Sequence, residues 1–253
     1  IVKLRTLILI RILSILSYLI PQIIIVVSKS TFKNCQRLGY SSQKLRLVHN
    51  GYETLKHSST KNRNYYRKKF KIKKKIPIVG SVARYDPTKD HLNLLTALSI
   101  LKKKNIDFIC ILIGSNINKK NKKLLSLIKK LNLFNQVKLL GHSGNILKSM
   151  KGLDIHILSS VTEGFPNVVA EAMSCGTPCV VTDVGDSALI VGNTGWKVKP
   201  GNPIKLAKAI QKGFLEIGTT KWKKRSYQSR LRIKKNFKID KMVARYNSIW
   251  SKI

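Results

Sequence analysis

Acidic residues are scarce: 11 Asp and Glu stand against 49 Lys and Arg in 253 residues, a formal net charge of +38. So large an excess goes beyond what solubility asks of a domain. It directs attention to a polyanion, whether nucleic acid, an anionic membrane face or a phosphorylated substrate, although a lysine-, isoleucine- and asparagine-rich compositional bias gives the same count. Cysteine is sparse too. Cys35, Cys110, Cys175 and Cys179 form no Cys-x-x-Cys pair, which argues against a zinc or dithiol site and predicts buried free thiols in a reducing compartment. No long uninterrupted apolar run is present. The uncharged stretch from Ile12 to Ser28 is short for a membrane span and is broken by Pro21 and Gln22. The first residue is Ile1, not Met, so the sequence is expected to begin inside a longer parent chain or after processing. What is abundant is apolar: 43% hydrophobic residues, spread along the whole length, exclude a disordered, collagenous or disulfide-stapled chain and predict one large or two small α/β domains.

Residues 1–19 read as an amphipathic helix with a basic face. Lys3, Thr6, Ser14 and Ser17 recur at helical spacing with Arg5 and Arg11 close by, and the helix either lies on a membrane or packs on the domain. After Pro21 the β-branched run Ile23 to Val27 suits a buried parallel strand ending at Ser28-Lys29-Ser30. A short helix, a turn at Gly39-Tyr40, a short strand at Leu45 to Val48 and Asn50-Gly51 follow. Residues 55–75 are dense in Lys and Arg, with Tyr65, Tyr66 and Phe70 interleaved. They read as a solvated interdomain linker, with a nucleic-acid-binding segment as the alternative.

Beyond Lys75, apolar runs of strand length alternate with helical segments. The expected strands are Pro77–Val82, Phe108–Ile113, Val137–Leu140, Ile155–Leu158 and Pro178–Thr182, and the expected helices are His91–Lys104, Lys120–Leu131, Asn145–Met150 and Asn167–Cys175. Such a βαβ array builds a doubly wound parallel sheet, whose ligands lie outside the carboxyl ends of the strands. The residues due at that rim are Arg84 and Lys89, then Gly114-Ser115, Gly141-His142, Ser159-Ser160, Glu163 to Asn167, and Asp183-Val184-Gly185-Asp186.

The block from Glu163 to Glu171 carries the most chemistry. Pro166 suits the first helical position, Glu171 falls about one turn inside, Gly176 is a C-terminal glycine, and Pro178 opens the next strand. N–H groups around Asn167 and Val168 at a helix start favour an anion such as a diphosphate. Carboxylates instead accept hydrogen bonds from vicinal hydroxyls of a ribose or hexose. The Arg84 fork and the Lys89 point charge would neutralise a diphosphate and the charge it gains on leaving. The chemistry implied is recognition of a sugar joined through diphosphate to a nucleoside.

Gly80 to Arg84 with Lys89, Glu163 to Asn167 with Glu171-Ala172-Met173, and the Asp183 to Asp186 turn resemble the donor-binding half of the family 4 retaining glycosyltransferases of the GT-B fold, closely from about Pro77 to Pro200. The resemblance implies an α/β fold of GT-B type: a Rossmann-like donor domain preceded by a remnant of the N-terminal Rossmann-like domain. Residues 1–54 would be that acceptor-side remnant, 55–75 the basic linker, and 76–253 the donor domain with its crossover helices. Arg84 and Lys89 would bind the donor diphosphate, Glu163 the sugar hydroxyls and Glu171 the ribose. These make Glu163, Arg84 and Lys89 the catalytic candidates. Gly164, Phe165, Pro166, Asn167 and Val168 would line sugar and phosphate largely through backbone, with Gly114 and Gly141 near the nucleotide; no metal or other cofactor is expected. Most of the acceptor domain, with its groove, glycine-rich loop and catalytic-region His, would be missing. His49 stands where many relatives have proline, and His91, His142 and His156 fall in the donor half as structural residues.

In the tail, Pro203–Leu215 reads as a helix and Lys221–Ile253 as one or two very basic helices, the last crossing back with Ile239, Met242, Val243, Tyr246 and Trp250 on one face. The expected function is transfer from a UDP- or GDP-sugar to a glycan or lipid-linked acceptor in lipopolysaccharide, O-antigen or capsule synthesis. The expected place is cytoplasmic, peripheral on the anionic inner face of the membrane. The alternatives are a truncated, non-catalytic nucleotide-sugar binder, a nucleic-acid-binding protein and a nucleotide-sugar epimerase. Nucleic acid is the less expected partner.

Overall fold

The computed structural model describes residues 4–53 and 64–252. The expectations placed on residues 1–3, on Thr54, on residues 55–63 of the basic linker and on Ile253 lie outside the described residues. The chain opens with α1 (Leu4–Leu19), β1 (Ile24–Val26), α2 (Lys29–Arg37) and β2 (Leu45–Leu47). β1 and β2 pair in parallel as a separate two-stranded sheet, Ile24 opposite Leu45 and Val26 opposite Leu47. Then follow α3 (Tyr65–Lys69), β3 (Ile78–Val82), α4 (His91–Lys103), β4 (Ile109–Ile113), α5 (Lys122–Lys130), β5 (Val137–Leu139), α6 (Ile146–Lys151), β6 (Ile155–Leu158), α7 (Asn167–Ser174), β7 (Cys179–Thr182), α8 (Ser187–Val191), β8 (Trp196–Val198), α9 (Pro203–Glu216), α10 (Thr220–Asn236) and α11 (Ile239–Trp250).

Among the described residues β3 to β8 make one six-stranded, wholly parallel sheet in the order β5-β4-β3-β6-β7-β8. Both faces are covered, which explains the near-continuous apolar strands. Alternation along each strand sends Val79, Cys110, Leu112, Ile155, Ile157 and Val180 to one face, against α4, α5 and α9. It sends Ile78, Val82, Ile111, Ile113, Leu158 and Val181 to the other, against α3, α6, α7, α8 and α10. The sheet is doubly wound, and chain direction reverses its spread between β3 and β6. That pair is the switch point where the loops part and a ligand can enter.

Three elements differ from expectation. The polar stripe of α1 faces inward: Ser14 and Ser17 are buried, and Ser17 Oγ accepts the Ser41 N–H at 2.9 Å. Leu4, Leu7, Ile8, Ile12, Ile15 and Leu19 are exposed, as are Arg5, Thr6 and Arg11, so the buried stripe of the helix is serine and its exposed surface mixes apolar and basic residues. Strand β8 was not expected; it is a three-residue sheet edge with Lys197 at its centre. Residues 64–75, within the segment read as a solvated linker, include α3, whose Tyr66 is fully buried beside Phe70 in the core. Packing of Tyr65, Tyr66 and Phe70 on the core accounts for the interleaved rings there. The cysteines are free, with Cys110, Cys175 and Cys179 buried, and burial pushes the Cys175 thiol up to about 11.

Candidate functional site

The loops after β3 and β6 meet at the switch point and are laced together by their own polar groups. Asp86 accepts from the Thr88 N–H at 2.9 Å and the Thr88 hydroxyl at 2.5 Å, starting the 3₁₀ turn Pro87–Lys89. Those two bonds, with the nearby Arg84, hold the Asp86 carboxyl down at about 2. Asp90, with φ at +46°, then caps α4 by accepting from the Asn93 N–H. From across the gap Val161 N–H donates to the Thr88 carbonyl at 2.9 Å and Ser159 Oγ to the Lys89 carbonyl at 2.8 Å. The Lys89 side chain is thereby sent to the β6 loop. Its Nζ lies 2.7 Å from Glu163 Oε1, which also accepts from Ser160 Oγ at 2.6 Å. Both side chains are mostly buried, 18% and 12% exposed, so the pair is shielded yet reachable from the rim.

Arg84 is different. Its side chain is 65% exposed and its Nε reaches only Asp86 Oδ2, at 3.3 Å, so it stands on the lip of the site without touching Glu163. Gly114 and Gly141 also belong to this rim. Gly114 N–H donates to the Gly141 carbonyl at 2.8 Å, tying the ends of β4 and β5 together. A Cβ at Gly114, where φ is +146°, would stand 2.1 Å from the Ala83 carbonyl oxygen. Only glycine lets β4 finish that close to the segment leading into Arg84.

Helix α7 is the second wall. Pro166 precedes it without a side-chain cap, and the N–H groups of Asn167 and Val168 have no acceptor among the described residues. That leaves a helix start with free donors, four residues along the chain from Glu163. Glu171 is half-buried on the same helix, and its carboxylate has no hydrogen-bond or ion-pair partner among the described residues. Burial raises its pKa.

Phe165 turns its ring away from the rim. It is buried among His49 (5.3 Å between centroids), Tyr52 (6.3 Å) and Phe237 (5.6 Å), leaving backbone at the site. Gly164 stays close to α2, where an added Cβ would lie 3.3 Å from Thr31 Oγ1. Val168 is half-buried and Pro166 buried.

Asp186 has a different task from the rim role its position suggested. Its buried carboxylate accepts from the N–H groups of Lys29 at 2.8 Å and Ser30 at 3.2 Å, stitching the start of α2 to the turn after β7. Gly185, at φ +56°, lets that turn pass under the Glu163 and Gly164 carbonyls, which a Cβ would meet at 2.3 and 2.4 Å. Of the histidines, His91 and His156 are buried and held neutral, at about 4 and about 3, by desolvation. Two residues escaped sequence reasoning: Asn50 Nδ2 and Tyr52 OH both donate to Asn167 Oδ1, at 2.8 and 2.5 Å. The only sequence signal was the Asn50-Gly51 pair, which reads as a turn.

The description "Glycosyl transferases group 1" matches residues 62–232. A Campylobacter jejuni protein named N-acetylgalactosamine-N,N'-diacetylbacillosaminyl-diphospho-undecaprenol 4-alpha-N-acetylgalactosaminyltransferase is 39% identical over 103 residues, 41% of this chain and 27% of that protein. An Escherichia coli UDP-Gal:alpha-D-GlcNAc-diphosphoundecaprenol alpha-1,3-galactosyltransferase is 26% identical over 158 residues, 59% of this chain and 39% of that one. The matched stretches thus span well under half of these relatives. Anabaena HepE, solved with UDP, superposes with a TM-score of 0.88 at 22% identity, covering 98% of this chain and 68% of HepE. A lipopolysaccharide outer core galactosyltransferase, WaaB, superposes at 0.70 and 17% identity, covering 92% of this chain and 62% of WaaB. Such likenesses establish the α/β fold as GT-B, and the family match over most of the sequence settles membership: the chain belongs to the group 1 glycosyl transferases.

Proposed function

We propose that this chain holds the donor site of a retaining glycosyltransferase that takes a nucleotide-diphosphate sugar, UDP- or GDP-linked. One observation carries the reading. A shielded Lys89–Glu163–Ser160 cluster at the sheet's switch point leads, through the loop after β6, into a helix start with two free N–H groups and a carboxylate, Glu171, that has no partner of its own among the described residues. Cations and helix N–H groups suit a diphosphate, and the two carboxylates suit hydroxyls on either side of it. In this reading Lys89 exchanges Glu163 for a donor phosphate oxygen, while Arg84 swings in from the lip. Glu163 is released to the sugar hydroxyls and Glu171 takes the ribose. Gly164, Pro166 and Val168 contribute backbone, and Gly114 and Gly141 shape the nucleotide end.

The chemistry is a displacement at the anomeric carbon. The acceptor oxygen bonds to that carbon on the face the diphosphate leaves, and the anomeric C–O bond to phosphate breaks. The hydroxyl proton passes to the departing phosphate oxygen, while Lys89 and Arg84 offset its growing charge without a metal. The names of the Campylobacter and E. coli relatives support an undecaprenol-diphosphate-linked acceptor in surface-glycan synthesis. A basic surface favours peripheral docking on an anionic cytoplasmic membrane face. Among the described residues no helix is long and apolar enough to cross a membrane.

Calorimetric titration of the chain with UDP, GDP, ADP and CMP, in EDTA, tests the reading. One nucleotide should bind saturably, and Glu171→Ala and Arg84→Ala should each weaken it about tenfold, the effect of one charge-assisted hydrogen bond. A folded chain that binds none of the four overturns it.

A further inference from the structure

Tyr52 lies outside every helix and strand, yet it is held from three sides. Its N–H donates to the Phe237 carbonyl at 2.8 Å and its carbonyl accepts from the Ile239 N–H at 3.2 Å, pinning it to the junction of α10 and α11. Its ring stacks on Phe165, 12° from parallel. Its hydroxyl donates to Asn167 Oδ1 at 2.5 Å, where Asn50 Nδ2 donates as well.

Asn167 is the first residue of α7, and that helix has no side-chain cap. The direction of its first turn therefore depends on what grips the Asn167 amide. With two donors on Oδ1 both lone pairs are used, and the Nδ2 donors remain for the rim. The tyrosine is the better grip of the two, since its position is fixed by backbone pairing and ring stacking before the hydroxyl is counted.

We propose that Tyr52, assisted by Asn50, is a positioning residue of the donor site: acting through Asn167, it aims the first turn of α7, with its free N–H groups and Glu171, at the diphosphate and ribose. The proposal rests on the donor-site reading above. It makes the three residues from Asn50 to Tyr52, at the end of the acceptor-side segment, part of the machinery that sets donor affinity.

Tyr52→Phe is the discriminating change, because it keeps the stacked ring and both backbone bonds and removes one hydroxyl. Thermal unfolding and calorimetric titration with the nucleotide that the parent chain prefers are compared for the parent, Tyr52→Phe, Asn167→Ala and the double variant. The expected result is an unfolding midpoint within about 3 °C of the parent and binding weakened about five- to tenfold by one lost hydrogen bond. In the Asn167→Ala background Tyr52→Phe should have no further effect, because the residue it acts through is gone. Asn50→Ala should weaken binding in the same direction and by less.

Parent-like affinity in Tyr52→Phe overturns the proposal alone. So does an equal loss with and without Asn167, which would make Tyr52 a direct contact or a general scaffold residue. A parent chain that binds none of UDP, GDP, ADP or CMP overturns the donor-site reading and this proposal together.

Discussion

Acidification from pH 7 to pH 5 should destabilise the protein through two named histidines. His156 sits in the middle of β6 with no exposed surface, and its Nε2 faces the Val82 N–H at 3.5 Å. That geometry makes Nε2 the acceptor and puts the one ring proton on Nδ1, which has no partner. A second proton would have to go on Nε2, pointing at another N–H group in a dry interior, so the charged form is excluded while the sheet is intact. His91, at the start of α4, is 5% exposed, and its Nδ1 is likewise unpartnered. Desolvation lowers His91 to about 4 and His156 to about 3, against an ordinary value near 6.5 in the unfolded chain. Below about pH 6.5 the unfolded state therefore binds protons that the folded state refuses, and stability falls as pH falls. Between pH 7 and pH 5 each histidine costs about 2 kcal/mol, about 4 kcal/mol together. Glu171, whose pKa is raised, acts with the opposite sign at the low end of the window. Asp86, held at about 2, contributes nothing there, because its linkage begins only as the unfolded carboxylate takes its proton. Urea unfolding at both pH values measures the change directly. His156→Asn should lower stability at pH 7 yet lose only about half as much between pH 7 and pH 5. A variant with the same pH-dependent loss as the parent would refute the assignment.

Three further outcomes follow from the geometry. Gly185→Ala should cost about 3 kcal/mol, since the new Cβ meets two backbone oxygens at a positive φ. It should also weaken nucleotide binding by displacing the Glu163 carbonyl; a change under about 0.5 kcal/mol in urea unfolding contradicts this. Lys89→Met should cost about 2 kcal/mol, less than a fully buried ion pair because both side chains keep some exposure. Adding Glu163→Gln should restore part of that loss, measurable as a non-additive double-mutant cycle. Arg225→Lys should lower stability by about 1–2 kcal/mol despite keeping the charge. It loses the two-pronged contact with Glu216, at 2.6 and 2.8 Å, and the stacking on Trp196 at 4.3 Å, so an unchanged unfolding midpoint refutes that reasoning.

The parts legible in the sequence were those whose neighbours impose a pattern on them. Strands β3, β4, β6 and β7 begin within a residue of expectation because burial on both faces leaves almost no polar position along them. The Glu163 to Glu171 block was legible because proline, glycine and carboxylate spacing mark a loop entering a helix. Strand β8 was not, since three residues with a lysine at the centre carry no run and no period. Helix α1 misled for a related reason: apolar residues surround most of it, so a serine stripe can as well meet a polar loop as face water. Tyr52 and Asn50 were out of reach. They meet Asn167 115 and 117 residues further along the chain, and local sequence holds no record of that distance.

The charge excess also reads differently once its partners are known. With so few acids available, several arginines satisfy backbone oxygens instead. Arg232 donates to the carbonyls of Leu189 at 2.6 Å and Ile190 at 2.8 Å, at the end of α8. Arg46 donates to the carbonyls of Gln43 and Leu45, whereas at Gly176, just past the end of α7, it is Ser226 Oγ of α10 that donates to the carbonyl, at 2.5 Å. Arg67 joins the carbonyls of Lys73 and Ile76 to Asp154. Cations at helix C-termini oppose the negative end of the dipole, so α10 steadies the far ends of the helices it crosses. For α7 this has a consequence at the other end. A helix of 8 residues gripped at its C-terminus by α10 and at its first residue by Tyr52 and Asn50 has little freedom to tilt. The free N–H groups and Glu171 then hold a fixed direction before any ligand arrives. Part of the basic excess is therefore used inside the fold, on the carbonyls that Arg67 and Arg232 hold, rather than left on the surface.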